Sequence, residues 1–247
     1  MNLTELQDES SRLLGDPNHD RWSTTTLTTR INLAQIEIQG YTNAVVAGQN
    51  PTVTEDDSTL ALNANTMNIL RVYKTLTDNI RRPLNLVSLI QLDFYYPDWR
   101  TWDNGEPIFC YYDATNQNLV VAPAPDATFA GISNPITVFY SAKPADLAAS
   151  TDVPFDSNNQ MIPYHMAIVH WVVAHCFMDD GTPEALAKAK FHRSGNMQNP
   201  GEYEKELGRI MAEFDVPDSV PNRILWKPQG GRLGYVYFPQ KSNPFLY

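Results

Sequence analysis

One apolar segment, residues 162–181, constrains the fold more than any other part of the chain. Apolar side chains recur there every three or four positions, the spacing of one helical face, at Met166, Val169, Val173 and Phe177. The opposite side is apolar as well, at Ile168, Trp171 and Val172. Pro163 suits the first turn of a helix, and Gly181 suits its C-cap. Because a helix that is apolar nearly all round must be surrounded, we expect other helices to enclose it.

Helical patterns flank this segment on both sides. Asn2 followed by Glu5 predicts a capping box that begins a first helix, and Gly15 with the following Asp and Pro ends it. Ser23 is the predicted N-cap of a second helix that ends near Tyr41. Two further helices are predicted after the central one, over 182–193 and 199–214. Helices joined by short loops pack against one another, so these segments predict an antiparallel bundle.

The middle of the chain has a different pattern, with short runs of Val, Ile, Phe and Tyr separated by Pro, Asn and Asp, which predicts strands. The predicted strands are 68–76, 107–112, 118–122 and 136–141. Residues 114–118 are predicted to form a hairpin loop, and residues 84–96 fit a helical turn as readily as a strand. Residues 44–65 are polar and rich in Asn, Thr, Asp and Gly, which predicts a long exposed loop or an arm.

The order of helices, then strands, then helices indicates an α+β fold. We predict an antiparallel α-helical bundle with an inserted small β-sandwich or barrel domain and an extended C-terminal arm. The predicted boundaries are 1–43 and 150–215 for the bundle, 44–66 for the long loop or arm, 67–149 for the β-rich domain and 216–247 for the C-terminal arm.

Composition narrows the function classes. The 247 residues are 43% hydrophobic, which is ample for a packed core. A net charge of −10 argues against a sequence-reading nucleic-acid binder, which would use a surplus of Lys and Arg to neutralise phosphates. The N-terminus lacks the basic start and apolar run of a signal peptide, and His165, His170 and His175 interrupt the longest apolar stretch. We therefore expect a soluble protein, and two distant cysteines fit a reduced cytoplasmic product.

The C-terminal residues form a basic and aromatic tail. From Ser219 onward there are four Lys or Arg residues and no Asp or Glu, and Pro and Gly exclude a long helix. So many aromatic side chains require a surface, either on the same domain or on another subunit, and we favour docking on another subunit. The predicted docking residues are Arg223, Trp226, Lys227, Arg232, Tyr235, Tyr237, Phe238, Phe245 and Tyr247.

Motifs of catalysis and metal binding are absent from the sequence: there is no phosphate-binding Gly-rich loop, no Gly-x-Ser-x-Gly, no His-Glu-x-x-His and no Cys-x-x-Cys. A metal-dependent hydrolase would have to use His170, His175 and Cys176. Five residues turn a helix by roughly 140°, so the histidines point apart rather than towards one ion. Asp179 and Asp180 lack the later acidic ligands of a calcium loop and are predicted to end the helix. We expect no enzyme activity, no cofactor and no metal.

A second hypothesis comes from a different functional class. Trp99 and Trp102, with Tyr111 and Tyr112, would form an exposed aromatic platform in a carbohydrate-binding or tail-fibre-attachment module. The alternative for these residues is burial in the core of the β-rich domain.

The ordered series of these features resembles the head-to-tail adaptor, or connector, proteins of tailed bacteriophages, in particular the adaptor or tail-tube proteins of short-tailed phages. The similarity runs from about Leu3 to Phe214. The residues that carry it are Leu14-Gly15-Asp16-Pro17 with Trp22, Ile31-Asn32-Leu33-Ala34-Gln35, Pro83-Leu84, Leu92-Asp93, Pro97, Trp99, Leu119, Pro123, Pro125, Tyr140, Pro144, Leu147, Asp152, Pro154 and Tyr164-His165.

The resemblance implies a structural virion protein of the neck or tail, made and assembled in the cytoplasm of the bacterial host. It implies a homo-oligomeric ring, a dodecamer, that binds below the portal protein, retains packaged DNA and provides a platform for tail nozzle and fibre proteins. Genomic DNA would pass through the ring without sequence-specific binding, no membrane would be involved, and residues 226–247 would reach the portal. Two segments depart from the family pattern, an interruption at 194–201 and the long polar stretch at 44–65.

Overall fold

The computed structural model describes residues 1–76, 80–194, 200–213, 225–229 and 232–236. Its α-helices are α1 (Leu3–Leu14), α2 (Thr24–Thr42), α3 (Leu89–Tyr95), α4 (Ala127–Ala130), α5 (His165–Asp180), α6 (Pro183–Arg193) and α7 (Glu202–Glu213). Its strands are β1 (Val46–Gln49), β2 (Thr59–Ala61), β3 (Thr66–Thr75), β4 (Arg81–Pro83), β5 (Asn85–Leu86), β6 (Phe109–Asp113), β7 (Asn118–Ala122), β8 (Ile136–Ala142), β9 (Leu225–Gln229) and β10 (Arg232–Val236). The fold is α+β, as predicted.

The chain divides into two compact units. One comprises Met1–Ala44 and Ala145–Tyr247 and contains the helices α1, α2, α5, α6 and α7. The other, Val45–Pro144, contains β1 to β8. The β-rich unit therefore begins earlier in the chain than the predicted domain, 67–149.

The N-terminal helices begin and end as the sequence predicts. Asn2 Oδ1 accepts the N–H of Glu5 at 2.9 Å, and Glu5 Oε2 accepts the N–H of Asn2 at 2.9 Å, which completes the capping box of α1. Gly15, in the left-handed region with φ 73°, ends this helix. Ser23 accepts the N–H of Thr26 and caps α2.

The helix α5 forms the core of the helical unit. Ten of its 16 residues are buried, and it packs against α1, α2, α6 and α7. Its first turns differ from the prediction, because Asn159–Tyr164, with Pro163 inside it, is a 3-10 helix that leads into α5. Residues 160–180 are long and apolar enough to cross a membrane, but 67% of the most apolar stretch is buried inside the protein, as in the core helix of a bundle.

A buried glutamine joins α2 to the chain that returns from the β-rich unit. Gln35 is fully buried, and its Nε2 donates to the carbonyl oxygen of Ala145 and to Asn32 Oδ1, both at 3.0 Å. Its Oε1 accepts the N–H of Phe155 at 3.3 Å. Because a buried amide must be satisfied, these bonds fix the returning segment against α2.

The second unit is a sandwich of two four-stranded sheets. The first sheet has the order β1-β8-β3-β4 and is antiparallel, whereas the second has the order β2-β7-β6-β5, with β5 parallel to β6. Both sheets contribute to one core, which includes Leu60, Ile69, Val72, Cys110, Leu119, Val121, Ile136, Val138 and Tyr140. All four predicted strands are present, and the predicted hairpin joins β6 to β7, with Asp113 opposite Asn118.

The prediction of a long loop or arm at 44–66 is wrong for part of this segment. Val46–Gln49 pairs with β8 as an edge strand of the first sheet, and Thr59–Ala61 pairs with β7 at an edge of the second. These strands are only four and three residues long, and only Leu60 among their residues is buried, because an edge strand is half solvated. The ambiguous segment 84–96 contains both alternatives, first β5 and then α3.

Candidate interaction surfaces

The predicted C-terminal docking residues lie partly within the described chain. β9 and β10 form an antiparallel hairpin in which Trp226 is opposite Tyr235 and Lys227 is opposite Gly234. Arg232 is opposite Gln229. The sequence predicts an extended arm here, without the pairing of β9 with β10. The remaining docking residues, Arg223, Tyr237, Phe238, Phe245 and Tyr247, lie outside the described residues.

The helix α3 carries an exposed apolar surface that is not among the predicted functional residues. Ser88 caps this helix by accepting the N–H of Gln91, and only Leu92 among its seven residues is buried. Ile90 is 81% exposed and Phe94 is 76% exposed. Together with Leu89 and Tyr95, both exposed, they form what we call the α3 face. The sequence could have indicated this surface, because Ile90 and Phe94 are four residues apart and share one side of a helix. Leu92, two residues from each, lies on another side.

The residues of the proposed glycan platform do not share one surface. Trp99 and Tyr111 lie on the outer side of the second sheet. Their rings pack edge to face, with the two ring centres 6.0 Å apart. Trp102 packs in the same outer cluster. Tyr112 packs against the sandwich core, and its hydroxyl donates to the carbonyl oxygen of Thr66 at 3.1 Å. Successive residues of a strand point to opposite faces, so Tyr112 is excluded from the platform.

A cleft of about 550 Å³ lies on this outer side of the second sheet. We call it the aromatic cleft; its lining includes Trp99, Trp102, Tyr111, Asp113 and Asn118. Trp99 is held in place because its indole N–H donates to Asp93 Oδ1 at 2.8 Å. Three of the four residues predicted for the platform therefore meet at one cleft.

The histidines of α5 have separate partners. His165 Nδ1 lies 2.7 Å from the amino group of Met1, and His170 Nδ1 lies 3.0 Å from Nδ1 of His192. His175 contacts the guanidinium of Arg193. Burial lowers the pKa of His165 and of His192 to about 4, and it lowers the pKa of His170 and of His175 as well. These groups are neutral at pH 7.

The residues considered for a hydrolase or a calcium loop are engaged in the helical unit. Cys176 is fully buried, and burial raises the pKa of its thiol to about 11. Asp179 pairs with Arg30 and Asp180 pairs with Arg21. Within the described ranges, no group of three or more His, Cys, Asp or Glu side chains is placed to hold a metal ion.

Comparison with known proteins identifies the family. A family model described as SU10 adaptor protein matches residues 1–221. The match includes the whole β-rich unit and α1 to α7, and it ends before β9. No curated protein matches the chain.

Proposed function

The chain belongs to the SU10 adaptor protein family, and from this premise we propose that it forms a ring beneath the portal of a bacteriophage. A protein of this family is a structural component of the virion that interacts with other head and tail proteins. The finer proposal is a dodecameric ring that extends the DNA channel, retains the packaged genome until ejection and provides the platform for tail nozzle and fibre proteins. The observation that carries it is the family match over both units.

The exposed apolar surface supports assembly from several copies. The α3 face presents Ile90 and Phe94 almost fully to solvent in the single chain. Exposed apolar patches of this kind mark protein–protein contacts. In a ring, each copy has two neighbours, and we propose that a neighbouring copy covers the α3 face.

The net charge supports a channel for DNA. A chain with a net charge of −10 repels phosphates, so DNA slides past it without sticking. We propose that genomic DNA passes through the ring without sequence-specific binding. The basic C-terminal residues are the exception to this charge, and we propose that they dock on the portal.

The test of the ring is the mass of the purified protein alone and after mixing with its cognate portal, by light scattering and negative-stain microscopy. We expect a ring to form on the portal. Phe94→Ser should weaken its assembly, whereas Leu33→Ser, which removes an exposed apolar side chain from α2, should not. A chain that stays monomeric in the presence of the portal would contradict the ring.

The docking role of the C-terminal residues has its own test. Deleting residues 230–247 should abolish binding to portal rings and leave the helical and β-rich units folded, as measured by circular dichroism. Unchanged binding of this deletion variant to the portal would refute the docking arm and leave the ring proposal standing.

A further inference from the structure

The aromatic cleft has the form of a binding site for a small polar ligand. Its volume, about 550 Å³, lies within the range of roughly 300–1,000 Å³ that is usual for ligand pockets. The register of the second sheet explains its floor. Tyr111 lies opposite Val120, which lies opposite Thr59, and Asp113 lies opposite Asn118. These two sets of cross-strand neighbours are two residues apart along β6. Their side chains therefore lie on the same face of the sheet, because side chains on a strand alternate between the two faces.

One wall of the cleft is aromatic and fixed before any ligand binds. Trp99 is 8% exposed and donates its indole N–H to Asp93. The guanidinium of Arg100 lies 4.3 Å from the centre of the Trp99 ring and donates to the same carboxylate at 2.6 Å. Trp102 is half-buried beside them in the same apolar cluster. A wall held in this way loses little entropy on binding.

The polar groups of the cleft divide into those already satisfied and those still available. The carboxylate of Asp113 accepts the N–H of Thr115 at 3.0 Å and the side-chain amide of Asn116 at 2.8 Å. By contrast, the Tyr111 hydroxyl, the Trp102 indole N–H and the Asn118 side-chain amide make no hydrogen bond to any residue in the described ranges. The available groups are neutral donors and acceptors.

The charges around the cleft decide which ligands fit. Hydrogen bonds from its neighbours lower the pKa of Asp113, and the hydrogen bond from Arg100 lowers that of Asp93, so both are ionised at pH 7. Arg100 also lines the cleft, but its positive charge is paired with Asp93. The acidic groups that line the cleft are Asp113 and Asp56. An anionic ligand would be repelled by these groups.

We infer that the aromatic cleft binds a short neutral oligosaccharide. Sugar rings have apolar faces that stack on aromatic side chains. Sugar hydroxyls both donate and accept hydrogen bonds, so they can pair with the donor of Trp102 and with the donors and acceptors of Tyr111 and Asn118. This activity goes beyond the adaptor role and does not depend on ring formation, because every residue of the cleft lies in the β-rich unit of one chain.

The test uses the full chain and four defined probes: the neutral tetrasaccharides maltotetraose, cellotetraose and chitotetraose, and the acidic tetragalacturonate. Binding is measured by titration calorimetry and by tryptophan fluorescence. We expect at least one neutral tetrasaccharide to bind and the acidic one not to bind. Binding of none of the neutral probes, or of the acidic probe alone, would overturn the inference.

Variants locate the binding and control for folding. Trp102→Ala and Asn118→Ala should each weaken binding of the neutral probe about tenfold, as the loss of one stacked ring or one hydrogen-bonded amide implies. Tyr73→Ala is the matched control, an aromatic side chain of the same unit that lies on the first sheet and outside the cleft, and should bind normally. Asn118 is on a strand surface, so its variant tests the site even if Trp102→Ala does not fold. Binding that Asn118→Ala and a folded Trp102→Ala both leave unchanged would place the sugar elsewhere and refute the inference.

Discussion

Replacing His192 by Phe should make the stability of the helical unit less sensitive to acid. Burial, and then the neighbouring His170, lower the pKa of His192 from 6.5 to about 4 in the folded chain. Glu202 opposes this shift. Because the unfolded chain binds a proton near pH 6.5 and the folded chain does not, stability is greatest above pH 6.5 and falls as the pH decreases towards 4. His192 is only 9% exposed, so solvent screens this effect little.

The magnitude follows from the two pKa values. At pH 5 the unfolded histidine is almost fully protonated, whereas the folded one, with a pKa of about 4, is mostly neutral. The proton linkage then lowers the free energy of unfolding by about 2 kcal/mol relative to pH 7. Urea unfolding followed by circular dichroism at 222 nm, at pH 7, 6 and 5, measures this loss.

The difference between the pH slopes of the variant and the wild type measures the contribution of His192 and of its contact with His170. His192→Phe keeps an aromatic ring that can stack beside His170 and Phe177 but cannot be protonated. We expect its free energy of unfolding to fall about 2 kcal/mol less than that of the wild type between pH 7 and pH 5. Phe177→Leu, a packing change next to the same ring, should retain the wild-type slope. Equal slopes for His192→Phe and the wild type would refute the reasoning.

Three further predictions concern packing and burial. Gly201→Ala should destabilise the helical unit in urea unfolding, because the added methyl group would lie 2.6 Å from the last carbonyl oxygen of α6. Gly208→Ala is the contrasting variant: its methyl group would meet nothing within 4 Å, and it should stabilise the unit by about 1 kcal/mol. Gln35→Leu should lower the free energy of unfolding by about 1–3 kcal/mol, because it leaves the buried N–H of Phe155 unpaired. Cys110 and Cys176, whose pKa values burial raises to about 12 and about 11, should react with iodoacetamide at pH 8 only after unfolding, as mass spectrometry would detect.

Local signals explain why the helical elements could be predicted from the sequence. The capping box at Asn2 and Glu5 and the N-cap at Ser23 act within one turn of the chain, and both are present in the structure. The apolar periodicity of 162–181 also predicts burial of α5, because a helix without a polar face must be enclosed. These signals depend on neighbouring residues only.

The strands at 46–49 and 59–61 could not be found by the same argument. Each pairs with a strand that follows much later in the chain, Val46 with Ser141 and Thr59 with Val120. An edge strand is stabilised by its partner rather than by its own propensity, so a strand as short as β2 forms without a pattern that distinguishes it from a loop. Prediction of these strands would have required the pairing itself.

The aromatic cleft shows which part of a site a strand pattern can predict. In the structure the hairpin sets Asp113 opposite Asn118, and the alternation of side chains along β6 assigns Tyr111 and Asp113 to one face and Tyr112 to the other. The prediction that Tyr111 and Tyr112 belong to one platform is therefore wrong, and the alternation of side chains along a strand already excludes it. The position of Trp99 could not be derived in this way, because α3 and the short 3-10 helix Trp99–Thr101 pack on the sheet through contacts distant in sequence. The strand residues of the cleft, Tyr111 and Asp113, can thus be predicted from the hairpin, whereas the position of Trp99 depends on the tertiary fold.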